Sequence, residues 1–80
     1  MSDYELAVDF MDLTDDRRLW TRVADARSGF TPIAGRHVVV GNEDADAAVA
    51  KILSVDADGI IELLVLPGTV ESHRDLLAQA

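Results

Sequence analysis

The stretch from Gly35 to Gly68 reads GRHVVVGNEDADAAVAKILSVDADGIIELLVLPG, and its apolar runs and turn residues decide the fold. Three runs, at residues 36–41, 47–55 and 60–66, are rich in the β-branched and aliphatic side chains that suit a half-buried strand. Two acidic segments separate the runs. The second contains Asp58-Gly59, a pair that tolerates positive φ and favours a tight hairpin turn. The sequence therefore predicts three strands in a meander.

Two earlier segments also alternate between apolar and polar residues. Residues 4–10 read YELAVDF and residues 17–24 read RRLWTRVA, and alternation of this kind is typical of strands with one solvated face. A helix over 15–27 is the alternative for the second segment, because Thr14 could cap its N-terminus and Gly29 could end it. We favour the strand, since the first segment needs a pairing partner.

Charge suggests a register for an antiparallel hairpin between these two strands. If the chain folds back around residues 12–15, Asp9 faces Arg18 and Glu5 faces Arg22. Apolar side chains meet on the opposite face in the same register, and cross-strand pairs contribute roughly 0.2 to 1 kcal/mol each.

The end of the chain predicts a short helix that follows the sheet. Pro67-Gly68 stops the last strand, and Thr69 can cap a helix over about 70–78. We therefore predict one mainly β domain spanning residues 1–80. Its five strands would form a small, partly open barrel or a bent antiparallel sheet, with the short helix at the C-terminus.

This strand spacing resembles that of the SH3-like small β-barrels. The shared features are a long loop between the second and third strands, followed by three meander strands from RHVVVG to IIELLVLPG. The aromatic clusters that line peptide grooves in SH3 domains are missing from this chain. The resemblance implies a fold and carries nothing about ligands, because one fold hosts many unrelated functions.

Composition narrows the classes of partner. The chain has 80 residues, no cysteine and a net charge of −8, which opposes the electrostatic term that drives nucleic-acid binding, so duplex nucleic acid is an unlikely partner. No apolar run approaches the ~20 residues of a membrane helix. We expect no membrane association and a cytoplasmic location, where a protein without disulfides is usual.

No motif in the sequence predicts catalysis or metal binding. Residues 54–59, SVDADG, resemble the start of a calcium loop, but the final ligand position falls on Val65. His37 and His73 lie in no spacing that makes a metal site or a nucleophile–base pair. We expect acidic solvated turns, no metal, no cofactor and no enzymatic activity.

One face of the second predicted strand is a candidate binding site. Arg18, Trp20 and Arg22 share that face, which brings two guanidinium groups to either side of an indole. Together with Arg36, they could bind a nucleotide, a single-stranded nucleic acid or an acidic peptide. Alternatively, the arginine stems cover the tryptophan and pair with nearby carboxylates, and this structural interpretation is the one we favour.

The last strand has two apolar faces. Glu62 suggests an outward face that also holds Ile60, Leu64 and Leu66. Either the terminal helix or a second protein molecule must cover that face. We therefore predict a non-catalytic protein-interaction module that binds a partner protein or forms a homodimer. The alternative is nucleotide or single-stranded nucleic-acid binding through the arginine and tryptophan side chains.

Overall fold

Five strands form one mixed sheet in the computed structural model, which describes residues 4–43 and 45–77. The strands are β1 (Leu6–Ala7), β2 (Arg18–Arg22), β3 (His37–Asn42), β4 (Ala45–Val55) and β5 (Ile60–Val65). Their order across the sheet is β1-β3-β4-β5-β2, and the sheet curls into a half-barrel. A short helix, α1 (Arg74–Leu77), follows the sheet. The predicted mainly β fold with five strands and a short C-terminal helix is confirmed.

The predicted meander is formed by β3, β4 and β5. Both pairings are antiparallel, and a bulge between Ile52 and Ser54 shifts the register of β4 against β5. In the turn between β4 and β5, Oδ1 of Asp56 accepts hydrogen bonds from the N–H groups of Asp58 and Ile60, each at 2.9 Å. Gly59 has a φ of 82°, as the Asp-Gly pair predicts.

The two remaining strands lie at opposite edges of the sheet. β1 pairs in parallel with β3, and β2 pairs antiparallel with β5, setting Leu19 opposite Leu63. The predicted hairpin between residues 4–10 and 17–24 is therefore wrong, although the strand assignment of Arg18–Arg22 is right. The strand predicted over 4–10 is short, because Asp9 accepts a hydrogen bond from the N–H of Met11 and starts a 3-10 turn.

Backbone contacts at the start of β2 explain its choice of partner. Arg17 has a φ of 65°, a left-handed conformation that directs the chain into β2. Its C=O accepts from the N–H of Val65 at 2.9 Å, and its Nε donates to the C=O of Val65 at 2.8 Å. These two bonds hold β2 beside the end of β5 and leave β1 to pair with β3.

The core lies on the concave side of the curled sheet. Every strand contributes at least one buried apolar side chain, and the segment around Phe10 and Leu13 packs against them. The buried set comprises Leu6, Val8, Leu19, Val38, Val40, Ala50, Ile52, Ile61, Leu63 and Val65. The alternation predicted for β5 is confirmed, since its odd-numbered residues are buried in the core.

The curl brings the two edges of the sheet towards each other. The hydroxyl of Thr21 in β2 donates to the C=O of Ala7 in β1 at 2.8 Å. Farther along, the N–H of Arg27 donates to the C=O of Glu5 at 2.8 Å, and Leu6 forms an isolated antiparallel bridge with Ala26. We refer to this junction between β1 and β2 as the seam. It is bridged at these points and open elsewhere.

The C-terminal segment begins with hydrogen bonds between Thr69 and Ser72. The hydroxyl of Thr69 accepts from the N–H of Ser72 at 3.2 Å, and the hydroxyl of Ser72 accepts from the N–H of Thr69 at 3.1 Å. A 3-10 turn (Glu71–His73) then leads into α1. Residue 78, the last of the predicted helix, lies outside the described residues.

Candidate functional site

The outer face of β2 carries the three side chains that the sequence singled out. Arg18, Trp20 and Arg22 are exposed, whereas Leu19 and Thr21 between them are buried. This follows from the period-2 geometry of a strand, in which successive side chains point to opposite faces. Trp20 is 47% exposed, so part of its indole ring is left in water.

Arg18 is neutralised by carboxylates on two sides. Its Nη1 donates to Oε2 of Glu62 at 3.0 Å, and its Nε lies 3.5 Å from Oδ2 of Asp16. Glu62 is opposite Trp20 in the ladder and so reaches Arg18 diagonally. A hydrogen bond from the Thr14 hydroxyl, together with the charge of Arg18, lowers the pKa of Asp16.

The predicted carboxylate partners of the arginines are engaged elsewhere. Asp9 accepts from the N–H of Met11, and Glu5 accepts from the N–H of Val39 at 3.2 Å. The expected pairs of Asp9 with Arg18 and of Glu5 with Arg22 are therefore wrong, because β1 and β2 are not neighbours in the ladder. Within the described residues, the guanidinium of Arg22 makes no ion pair.

One edge of β2 presents backbone groups to the seam. The C=O of Arg17 and the N–H of Val23 bond towards β5, so in an antiparallel ladder the backbone groups of the even-numbered residues point to the opposite edge. At Arg18 those groups bond to the backbone and hydroxyl of Thr14, each at 2.9 Å. The outward backbone N–H and C=O groups of Trp20 and Arg22 have no hydrogen-bond partner among the described residues.

A cleft of about 340 Å³ opens along this edge. We call it the seam cleft, and its lining comprises Ala7, Val8, Asp9, Asp12, Trp20, Thr21, Arg22 and Asp25. Three carboxylates and one guanidinium give it a net negative charge. The hydrogen bond from Thr21 to Ala7 joins its two walls.

The structure brings together three of the four predicted binding residues. Arg18, Trp20 and Arg22 lie side by side, whereas Arg36 precedes β3 and is separated from β2 by β4 and β5. Its C=O accepts from the N–H of Ile52 at 2.8 Å, which extends the ladder between β3 and β4. Arg36 therefore lies apart from the other three.

Sequence reasoning missed the three aspartates of the seam cleft. Asp12 lies in the segment that we predicted to be a hairpin turn, and Asp25 lies in the long connection after β2. They line the same cleft because the sheet curls, and no local pattern encodes that arrangement. The one available signal was the spacing of Asp9 and Asp12, which suits a 3-10 turn.

The predicted association face of β5 is half-buried. Ile60, Leu64 and Leu66 lie on the outer face, and Leu64 sits between Arg18 and Lys51 in the ladder.

Part of this outer face is covered by the chain itself. Val49 points outward from β4, opposite Val39, yet is fully buried and does not belong to the core cluster. α1 contacts β3, and the N–H of Leu66 bonds to the C=O of Val49. We therefore attribute the burial of Val49 to the C-terminal segment.

Metal-binding clusters and membrane-spanning helices are absent from the described residues. No group of three or more His, Asp or Glu side chains there could hold a metal ion, and no helix there is long and apolar enough to cross a membrane. Asp56, the first of the two acids in the calcium-like stretch, uses its carboxylate to accept hydrogen bonds from the backbone of its own turn. Nε2 of His73 lies 2.6 Å from the C=O of Pro67.

Comparison with known proteins gives no relative: no family model, no curated protein and no solved structure matches this chain.

Proposed function

We propose that this protein is a non-catalytic protein-interaction module and that it binds its partner at β2. The observation that carries the proposal is the exposed Trp20, which lies beside an unpaired strand edge and an open cleft. Tryptophan is enriched among the residues that dominate binding energy at interfaces, where it fills a pocket on the partner. Unpaired strand edges are a second common route to protein association.

Nucleotide or single-stranded nucleic-acid binding is the second candidate. The exposed indole of Trp20 between Arg18 and Arg22 favours it, because bases stack on aromatic rings and phosphates attract guanidinium groups. Two observations weigh against it: Arg18 is paired with carboxylates, and Asp9, Asp12 and Asp25 line the adjacent cleft. The net charge of −8 also repels a polyanion.

A capture experiment with matched variants tests the proposal. The wild-type chain, Trp20→Ala and Ile33→Ala would each be immobilised and exposed to extract from the native organism. Ile33 is a suitable control because it is 46% exposed, close to the value for Trp20. We expect Trp20→Ala to lose a protein that the wild type and Ile33→Ala both retain, as quantified by mass spectrometry. Equal retention by all three would contradict the proposal.

A titration separates the two candidate functions. A fluorescently labelled single-stranded oligonucleotide would be added to the protein at two salt concentrations. Binding that weakens steeply with salt and is lost in Trp20→Ala would favour the nucleic-acid function. We expect no binding at either concentration.

We further propose that the half-barrel is of the SH3-like type. The long connection between β2 and β3 and the meander of β3, β4 and β5 support this, whereas the parallel pairing of β1 with β3 was not expected from it. Self-association through Ile60, Leu64 and Leu66 and a cytoplasmic location also remain predictions from the sequence.

A further inference from the structure

We propose that the C-terminal segment, residues 69–77, exchanges between two copies of the chain and docks on the outer face of β3 and β4 of the other copy. The surface that receives it is the one that the segment covers in the single chain. That surface is distinct from the outer face of β2, so the exchange does not depend on the proposed function. Three features of the segment support the exchange: its amphipathic pattern, its few attachments and the glycine in its hinge.

The segment docks on the sheet through one side of its helical turns. Residues three or four positions apart lie on the same side of a helix, and the half-buried residues of the segment have that spacing: Val70, His73, Leu76 and Leu77. The residues between them are exposed. α1 contacts β3, and the outward-facing Val49 of β4 is fully buried. The apolar side of the segment therefore covers the outer face of β3 and β4.

Few contacts tie the segment to the rest of the chain. No residue of its 3-10 turn or of α1 is fully buried, and its described side-chain hydrogen bonds link only residues between Pro67 and Arg74. A helix this short is not stable alone in water, so docking on the sheet keeps it folded. Local opening costs little free energy where few apolar contacts are buried. The segment can therefore leave the sheet while β3, β4 and β5 stay paired.

Gly68 is the hinge between β5 and the segment. It has a φ of 95°, which favours glycine, and a Cβ atom at this position would lie 2.9 Å from Oγ of Ser72. The tight return of the chain onto its own sheet therefore depends on a residue without a side chain. When the hinge is extended, the segment is directed away from its own sheet and reaches a second copy, as in domain swapping.

A second copy is the occupant that fits the uncovered surface. In the exchanged dimer, each outer face receives the same side chains as in the single chain, so the docking contacts are retained. The short hinge favours the closed monomer, because it keeps the chain's own segment at an effective concentration of about millimolar or more. The wild-type chain should therefore be a closed monomer at micromolar concentration and exchange only near millimolar concentration.

Gly68→Ala tests the hinge in the full chain. The added methyl group strains the closed hinge through its positive φ and its contact with Ser72, and an extended hinge relieves both. We expect the dissociation constant of the dimer to fall about 100-fold, tenfold for each of the two hinges. Sedimentation equilibrium measures it at about 0.15 M salt, which screens the repulsion between chains of charge −8. A variant that stays monomeric up to millimolar concentration would overturn the exchange.

Gly29→Ala is the matched control for backbone strain. Gly29 has a similar φ of 84° and lies in the connection between β2 and β3, where an added Cβ atom would meet no atom within 4 Å. The substitution therefore strains the backbone without touching the hinge. We expect Gly29→Ala to remain monomeric at the concentrations at which Gly68→Ala is a dimer. Equal dimerisation of the two variants would show that association follows from lost stability, and the exchange would be overturned.

Nuclear Overhauser effects between chains identify the dimer as an exchanged one. Isotope-labelled and unlabelled Gly68→Ala chains are unfolded, mixed and refolded together, and only contacts between labelled and unlabelled chains are recorded. We expect contacts from the methyl groups of the segment in one chain to Val39 or Val49 in the other. A dimer whose contacts between chains lie at Leu64 or Trp20 instead would associate through another face, and this result would overturn the exchange.

Discussion

The three meander strands and the two edge strands of this sheet differ in burial and in exposure to solvent. β3, β4 and β5 have neighbours on both sides, and their inward side chains, such as Ile52 and Leu63, are fully buried. β1 contains two residues, and β2 exposes every second side chain together with backbone groups on its open edge. The stabilising burial is therefore concentrated in the meander, and the accessible surface is concentrated at the edges.

This separation matters because the domain is small. A chain of this size buries only about 60% of its extended surface, so a binding surface built into the core would remove stability that the fold needs. A strand at the edge can expose Trp20 while its alternate residues, such as Leu19, still contribute to the core. Substitutions in the two regions should accordingly differ in their effects.

The largest expected effect is in the meander. Leu63→Ala removes a fully buried side chain and should cost about 2 to 5 kcal/mol of unfolding free energy, through lost burial and the cavity left behind. Trp20→Ala on the outer face of β2 should cost about 1 kcal/mol or less. Urea unfolding of both variants measures the difference, and equal losses would contradict the separation of stability from accessible surface.

The turn between β4 and β5 comes next. Gly59 has a φ of 82°, and a Cβ atom there would make ordinary van der Waals contact with Val23 at 3.8 Å, so the cost of Gly59→Val is backbone strain of about 1 to 2 kcal/mol. Asn tolerates positive φ, and Gly59→Asn should therefore lose much less. Thermal melts compare the two. An unchanged midpoint for Gly59→Val would show that the turn does not hold the meander together.

Leu64 tests how the outer face of β5 is covered. If the C-terminal segment, to which we attribute the burial of the neighbouring Val49, also covers this half-buried side chain, Leu64→Glu should cost about 1 kcal/mol with no change in molecular mass. The exposed Ile33→Glu serves as the control for added charge. Sedimentation and thermal melts provide the two readouts. A wild-type dimer that Leu64→Glu converts into a stable monomer would instead identify this face as a homodimer interface.

The smallest expected effect concerns the ion pair on β2. A double-mutant cycle of Arg18→Ala with Glu62→Ala should give a coupling energy of about 0.2 to 1 kcal/mol, since the pair is solvent-exposed and 3.0 Å long. A cycle of Arg22→Ala with Glu62→Ala should give a coupling near zero, because no ion pair joins those residues in the described structure. Equal coupling energies would show that Glu62 does not pair specifically with Arg18. The guanidinium of Arg18 would then be as available to a partner as that of Arg22.

The sequence predicted the features that depend on residues close together in the chain, and it failed where the contacting residues are far apart. The hairpin at Asp58-Gly59 was predictable, because the turn residues and both flanking strands lie within about twenty positions. The inward and outward faces of β5 were predictable from alternation alone. The strand at Arg18–Arg22 was also recognised, but its partner was not.

The error in pairing β1 with β2 has a specific cause. Complementary charge placed Asp9 opposite Arg18, yet Glu62 satisfies the same arginine from β5. Exposed ion pairs are weak and can be made by many carboxylates, so they do not select one register over another. The backbone and side-chain bonds of Arg17 to Val65 had no counterpart in the sequence pattern.

By itself, the sequence determined that the chain forms a mainly β domain, with a meander from His37 to Val65 and a β2 whose arginines and tryptophan share one face. Alternation and turn chemistry are local properties, and a local pattern suffices to specify them. The tertiary structure alone decided which strands became edges, and the curl that brings Asp9, Asp12 and Asp25 to the open side of Trp20. The physical reason is that edge choice depends on competition among distant strands for the same apolar surface, which no single segment encodes.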